Sequence, residues 1–322
     1  MPGVKIADRP RVVLDEASFD FRGISDEQIE RCLDDLNEGL RELRRQRPNG
    51  VIRAPMWESV ECLDGCELYQ FLCREHPSRV DRDTLLLTYS LLDKCPEWDD
   101  SSVGSIDTMV SIDGGAPVMA LSVGYALAMA RKGNGIACLV FPGAARREFL
   151  KVSGERGEAM VFFFCEPLAL PEFWRSLFVL ENVSEHEFFE LAELAFPGLA
   201  FHPELSFGRF SGTYLTVRDR VVTILAGLND NFAEEYARSG GLPRQLEVAM
   251  GRHHVDLSLE STKTRASERL MRLRDVTYGG RRFRCEWHAK LEPNRNRIHF
   301  SEPSEYLAGR ILIGIFDDHL DT

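Results

Sequence analysis

The chain holds no apolar run long enough to cross a bilayer, which takes about 20 residues. Its start, MPGVKIADRPRVVLDE, lacks the apolar core of a secretory signal. Together these absences make the cytoplasm the expected compartment. No G-x-S-x-G elbow, H-E-x-x-H pair or glycine phosphate loop appears, so the usual hydrolase, zincin and nucleotide-binding signatures are missing. There is no internal repeat and no low-complexity tract. The eight cysteines fall into no disulfide framework and read as reduced thiols, mostly filling core. Positive charge is in deficit: 39 Lys and Arg face 51 Asp and Glu, for a net −12. A surface coated all over for nucleic acid is thereby excluded.

What is present reads as an α+β chain: a mixed α/β body, a helical middle region and a small antiparallel C-terminal module. Its 322 residues are enough for more than one core. Ser25 with Gln28 makes a capping box, Ile24 can staple to Ile29, and Ile29, Cys32, Leu33, Leu36, Leu40 and Leu43 follow as one apolar stripe. Leu68, Phe71, Leu72 and their neighbours read as a second helix closed by His76-Pro77, and Asp81 to Lys94 as a third. Ile106 to Ile112, Phe149 to Val152, Ile136 to Phe141 and Met160 to Phe164 read as strands, with a helix over Pro117 to Lys132. A second capping box, Ser184 with Glu187, opens the helical region. A long helix is expected from about Tyr214 to Tyr236, and another from Pro243 to Gly251. Leu259 to Arg265 is polar and small and reads as a linker. The expected division is residues 1–180, 181–262 and 263–322.

The most strongly patterned stretch is Arg281 to Leu320. Phe283, Cys285, Trp287, Ala289 and Leu291 alternate with Arg282, Arg284, Glu286, His288 and Lys290, the mark of a strand with one buried and one solvated face. Glu292 to Asn296 supplies a turn, Arg297 to Phe300 a second strand, and Ile311 to Phe316 a strand apolar on both faces. A three-stranded antiparallel sheet is expected, with Phe283, Trp287 and Ile298 buried. From Lys263 to Arg310, twelve basic residues less six acidic ones leave +6, so the remainder carries −18. The pattern is a basic module on an acidic body.

Several constellations were weighed for chemistry. Cys62, Cys66, Cys73 and His76 match no zinc spacing, so no metal is expected, and no cofactor either. His253, His254 and Asp256 read as a polar loop after a helix stop, and Asp113-Gly114-Gly115 as a turn. The basic strand face is the best candidate. Arg282, Arg284, Lys290, Arg297 and His299 are the residue types that hold phosphates. Metal-free cleavage of RNA would need a proton carrier and positive charge on the phosphate, for which His288, Lys290 and Arg284 are the candidates. The bland alternative is a solvated sheet face whose charges answer the acidic body.

A short helix over Ser267 to Val276, the basic hairpin, Arg310 to Ile315 and the terminal His319-Leu320 resemble the RelE/ParE-type modules of prokaryotic toxin–antitoxin and antiphage-defence proteins. The resemblance covers residues 267–322. It implies a defence or toxin–antitoxin protein whose C-terminal sheet binds RNA or another polyanion, with metal-independent ribonuclease activity. Two other functions fit the sequence. One is a non-catalytic subunit of a multi-protein defence assembly, docking on a protein partner. The other is a small-molecule enzyme with its pocket between Asp107 and Phe141.

Overall fold

The computed structural model describes residues 6, 9–47, 50–98 and 104–320. The chain divides into two compact units, Met1–Phe173 and Trp174–Thr322. The fold is α+β throughout.

The first unit runs β1 (Val12–Leu14), α1 (Asp26–Gln46), β2 (Val51–Ile52), β3 (Glu61–Leu63), β4 (Cys66–Glu67), α2 (Leu68–Leu72), α3 (Arg82–Asp93), β5 (Met109–Ile112), β6 (Val118–Met119), α4 (Leu121–Arg131), β7 (Ala137–Leu139), β8 (Glu148–Gly154) and β9 (Gly157–Phe164). Seven of these strands form one sheet in the order β2-β1-β7-β9-β8-β5-β6, parallel from β2 to β9 and antiparallel beyond it. The Ser25–Gln28 capping box closes as expected, and Ile29, Leu33, Leu36, Leu40 and Leu43 form the buried side of α1. The expected helix from Pro117 begins only at Leu121, because Val118 and Met119 pair with β5. Cys62 and Cys66 are buried and adjoin each other in the β3–β4 hairpin, while Cys73 is exposed.

The second unit opens within α5 (Leu170–Leu180) and continues with α6 (Glu185–Ala195), β10 (Leu199–Phe201) and α7 (Tyr214–Gly227). A single wider turn, Leu228–Phe232, carries α7 into α8 (Ala233–Ser239), so the long helix expected over Tyr214–Tyr236 is one rod with a bulge. Then come α9 (Pro243–Gly251), β11 (Leu257–Leu259), α10 (Thr262–Arg265), α11 (Glu268–Arg272), β12 (Asp275–Tyr278), β13 (Arg281–Arg284), β14 (Trp287–Glu292), β15 (Arg295–Phe300) and β16 (Ile311–Asp317). Five strands pair in the order β10-β16-β15-β14-β11, and β12 with β13 makes a separate hairpin.

This topology corrects three expectations. The boundary at 262/263 runs through a single sheet, since β10 and β11 flank β14–β16. Leu257–Leu259 pairs with Trp287–Ala289, and Glu260 and Thr264 are buried, so this segment is framework and not a linker. The strand expected from Arg282 to Lys290 breaks at Cys285–Glu286: its first half pairs with β12 and its second with β11 and β15. Burial still follows the alternation, because Phe283, Cys285, Trp287, Ala289 and Leu291 are all buried. Trp287 and Phe300 meet Phe232 edge-on, at 6.0 and 5.0 Å between centroids, so one sheet face is sealed by the helical rod. Cys285 packs where Gly314 has no side chain; a Cβ there would fall 2.3 Å from the Cys285 sulfur.

Candidate functional site

Strand register sorts the polar residues. Ser258 lies opposite His288, His288 opposite His299, and Lys290 opposite Arg297. Side chains at alternate positions share a face. Ser258, Glu260, His288, Lys290, Arg297 and His299 therefore project from the face opposite Trp287 and Ile298.

At the centre of that face the polar groups are enclosed. His288 is 7% exposed, His299 0% and Glu260 5%. The two imidazoles lie 5.3 Å apart between ring centroids. The Glu260 Oε1 atom is 3.7 Å from His288 Nδ1 and 3.8 Å from His299 Nδ1. Arg274, which follows α11, donates from Nε to the same oxygen at 2.8 Å and from Nη1 to the Leu270 carbonyl. On its outer side, His288 Nε2 pairs with Ser258 Oγ at 3.3 Å. No hydrogen-bond partner is present for His288 Nδ1, for either ring nitrogen of His299, or for Arg274 Nη2.

The electrostatics follow from this enclosure. Burial, then repulsion from Arg297, Lys290, Arg274 and His319, pushes His288 down to about 3. Burial, then His288, Arg274 and Arg297, pushes His299 well below the usual imidazole range, opposed only weakly by the Cys285 backbone. Both rings are neutral at pH 7. His288 was expected on an open face as the proton carrier. It is instead walled in, because β14 lies inside a five-stranded sheet and the segment after β11 covers its polar side. His299 is likewise no surface phosphate ligand.

The other candidates part company. Lys290 is half-buried and held 3.3 Å from Asp256. Arg297 is half-buried, with its Nε lacking a partner. Arg282 and Arg284 are exposed, but on the β12–β13 hairpin, where both lean on Asp275 at 3.8 and 2.9 Å. One continuous face carrying Arg282, Arg284, His288 and Lys290 does not exist.

The exposed positive charge lies elsewhere. From Lys263 to Glu286, eight basic residues less three acidic ones leave +5. All eight but Arg274 are exposed. Gly279 and Gly280, both at positive φ, turn the hairpin and present Arg281, whose guanidinium lies 4.1 Å above the ring of Tyr306. That tyrosine is 60% exposed. Tyr306 carries no sequence signal, because it lies in a single 3₁₀ turn, Glu305–Leu307, too short to show a periodicity.

An open cleft of about 520 Å³ borders the enclosed cluster, with Arg220, His254, Asp256, Ser258 and Lys290 in its walls. In the first unit Asp107 is buried and already bound by Arg156 at 2.9 Å, and Asp113 occupies a turn with positive φ. No family model, curated protein or solved structure matches the chain.

Proposed function

We propose that the second unit binds a polyanion, single-stranded RNA foremost, through the exposed basic segment from Lys263 to Arg284 and the adjoining Tyr306. The observation that carries this reading is Arg281 stacked on an exposed tyrosine within a run of surface cations. Single strands are held by that combination, with cations along the backbone and an aromatic face on which bases stack. Arg282 and Arg284 contribute charge, and Asp275 fixes their direction. Lys290 and Arg297 are peripheral in this reading, His299 is buried away from it, and no cleavage is assigned to His288, which is enclosed and neutral. The resemblance to RelE/ParE-type modules supports a cytoplasmic role in prokaryotic defence or a toxin–antitoxin pair.

The test is fluorescence anisotropy with a labelled single-stranded RNA. Arg281→Ala with Arg282→Ala should weaken binding, and raised salt should weaken it further. Unchanged affinity in that variant sinks the reading. Failure of RNA to bind, with capture of an acidic protein that the same variant releases, would make the segment a protein-docking surface.

A further inference from the structure

We infer that Glu260, His288 and His299 form a binding site for a divalent transition-metal ion of borderline character, Zn²⁺ being the best match to the donor set. One ligand atom from each residue lies within 4.8 Å of the others. Two imidazole nitrogens and a carboxylate oxygen are donors that zinc accepts, at about 2.0–2.2 Å each. Donors at that distance and a tetrahedral angle stand roughly 3.4 Å apart. The spacings from Glu260 Oε1, 3.7 and 3.8 Å, need close by only a few tenths of an ångström.

A second observation, independent of spacing, points the same way. His299 is fully buried, and among the described residues neither of its ring nitrogens makes a hydrogen bond of good geometry, although the Cys285 backbone acts on the ring; His288 Nδ1 lacks a partner too. Buried polar atoms without partners are costly, and an ion held between the two facing rings would satisfy these together. The outer contacts are those of a metal site. The Ser258 hydroxyl engages His288 Nε2, leaving Nδ1 free to ligate if Nε2 carries the hydrogen. Arg274 orients Glu260, whose carboxylate has lone pairs enough for both guanidinium and metal.

Charge opposes the ion in part. Arg297, Lys290, Arg274 and His319 all repel positive charge at His288, with Asp256 beside Lys290 and the Glu260 carboxylate opposing them. The open cleft comes up to the outer edge of the cluster, since Ser258, one hydrogen bond from His288, is part of its wall. Three protein ligands leave a coordination position for water or for a ligand entering from that cleft, the arrangement of open rather than closed zinc sites. Along the sequence the metal-ligand types cluster at Cys62–His76, at His253–Asp256 and at Asp107 with Asp113, and this trio is in none of those groups. Glu260, His288 and His299 are scattered across three strands' worth of chain and become neighbours only through strand register.

The inference is independent of RNA binding and has its own test. Protein stripped with chelator is titrated with Zn²⁺ against a chromogenic competitor, and separately with Co²⁺ while its visible spectrum is recorded. One Zn²⁺ per chain should bind, and Co²⁺ should show the intense bands of a low-symmetry, four- or five-coordinate site. His299→Gln and His288→Gln should each weaken Zn²⁺ by at least about tenfold, whereas His186→Gln, remote from the cluster, should not. No stoichiometric Zn²⁺ binding, or equal affinity in His299→Gln, overturns the site. If the variants fail to fold, the Co²⁺ spectrum of the unaltered protein decides: bands like those of the aqueous ion overturn it.

Discussion

Arg274 and Glu260 form an ion pair with both side chains inside the protein, 0% and 3% exposed, and 2.8 Å from Nε to Oε1. It joins the end of α11 to the residue after β11, and so closes the cover over His288 and His299. Taking one partner away leaves the other charge without compensation in a place that water does not reach. Arg274→Ala should destabilise the second unit by about 3–5 kcal/mol. Replacing both partners by apolar residues, Arg274→Met with Glu260→Leu, should restore most of that loss while abolishing metal binding. Urea denaturation of the single and double variants checks the first statement, and the Zn²⁺ titration the second. A double variant no more stable than Arg274→Ala would show that the pair contributes through more than its charges.

A second ion pair has a pH signature. Arg175 binds Asp230 through two hydrogen bonds at 2.6 and 2.7 Å, tying α5 to the wide turn after α7. Burial tends to raise the Asp230 carboxyl, but the Arg175 and Asn229 hydrogen bonds outweigh it and hold the group below its usual 3.8. A carboxyl depressed in the folded state binds fewer protons there than in the unfolded chain. Its contribution is therefore complete above about pH 4 and fades as pH falls through the folded value. Asp230 is 46% exposed, so screening keeps the contribution below about 1 kcal/mol. Asp230→Asn should cost this small amount at pH 7 and less at pH 3. Denaturation at the two pH values measures it, and an equal cost at both would mean that packing is responsible.

Local signals were legible where they arise from neighbouring residues. The two capping boxes at Ser25 and Ser184 close as their spacing predicts, and the alternation around Trp287 gives the apolar buried set, though not the buried His288 between them. Partners distant along the chain were not legible. Alternation says which residues share a face, but it does not say whether a second layer covers that face. His288 and Lys290 obey the same parity, yet one is enclosed and the other reaches the cleft. Glu260 lay in a stretch read as a linker because its polar neighbours disguise a short strand. Its role depends on pairing with a segment some thirty residues later, visible only in the register of β11 with β14.

The salt dependence of RNA binding can locate the interface. Each phosphate contact on a single strand contributes about 0.7 to the slope of log affinity against log salt. Arg281 has two roles in the proposed site, as a charge and as the cation above Tyr306. Arg281→Ala should therefore lower affinity and flatten the slope by about 0.7. Tyr306→Ala removes stacking but no charge, so affinity should fall by roughly 1–3 kcal/mol with the slope nearly unchanged. Lys290→Ala should alter neither, because that side chain is half-buried and engaged by Asp256. The three variants together distinguish the hairpin from the sheet face. If Lys290→Ala flattens the slope and Arg281→Ala does not, RNA is held by the sheet face, and the stacked arginine is only a surface contact.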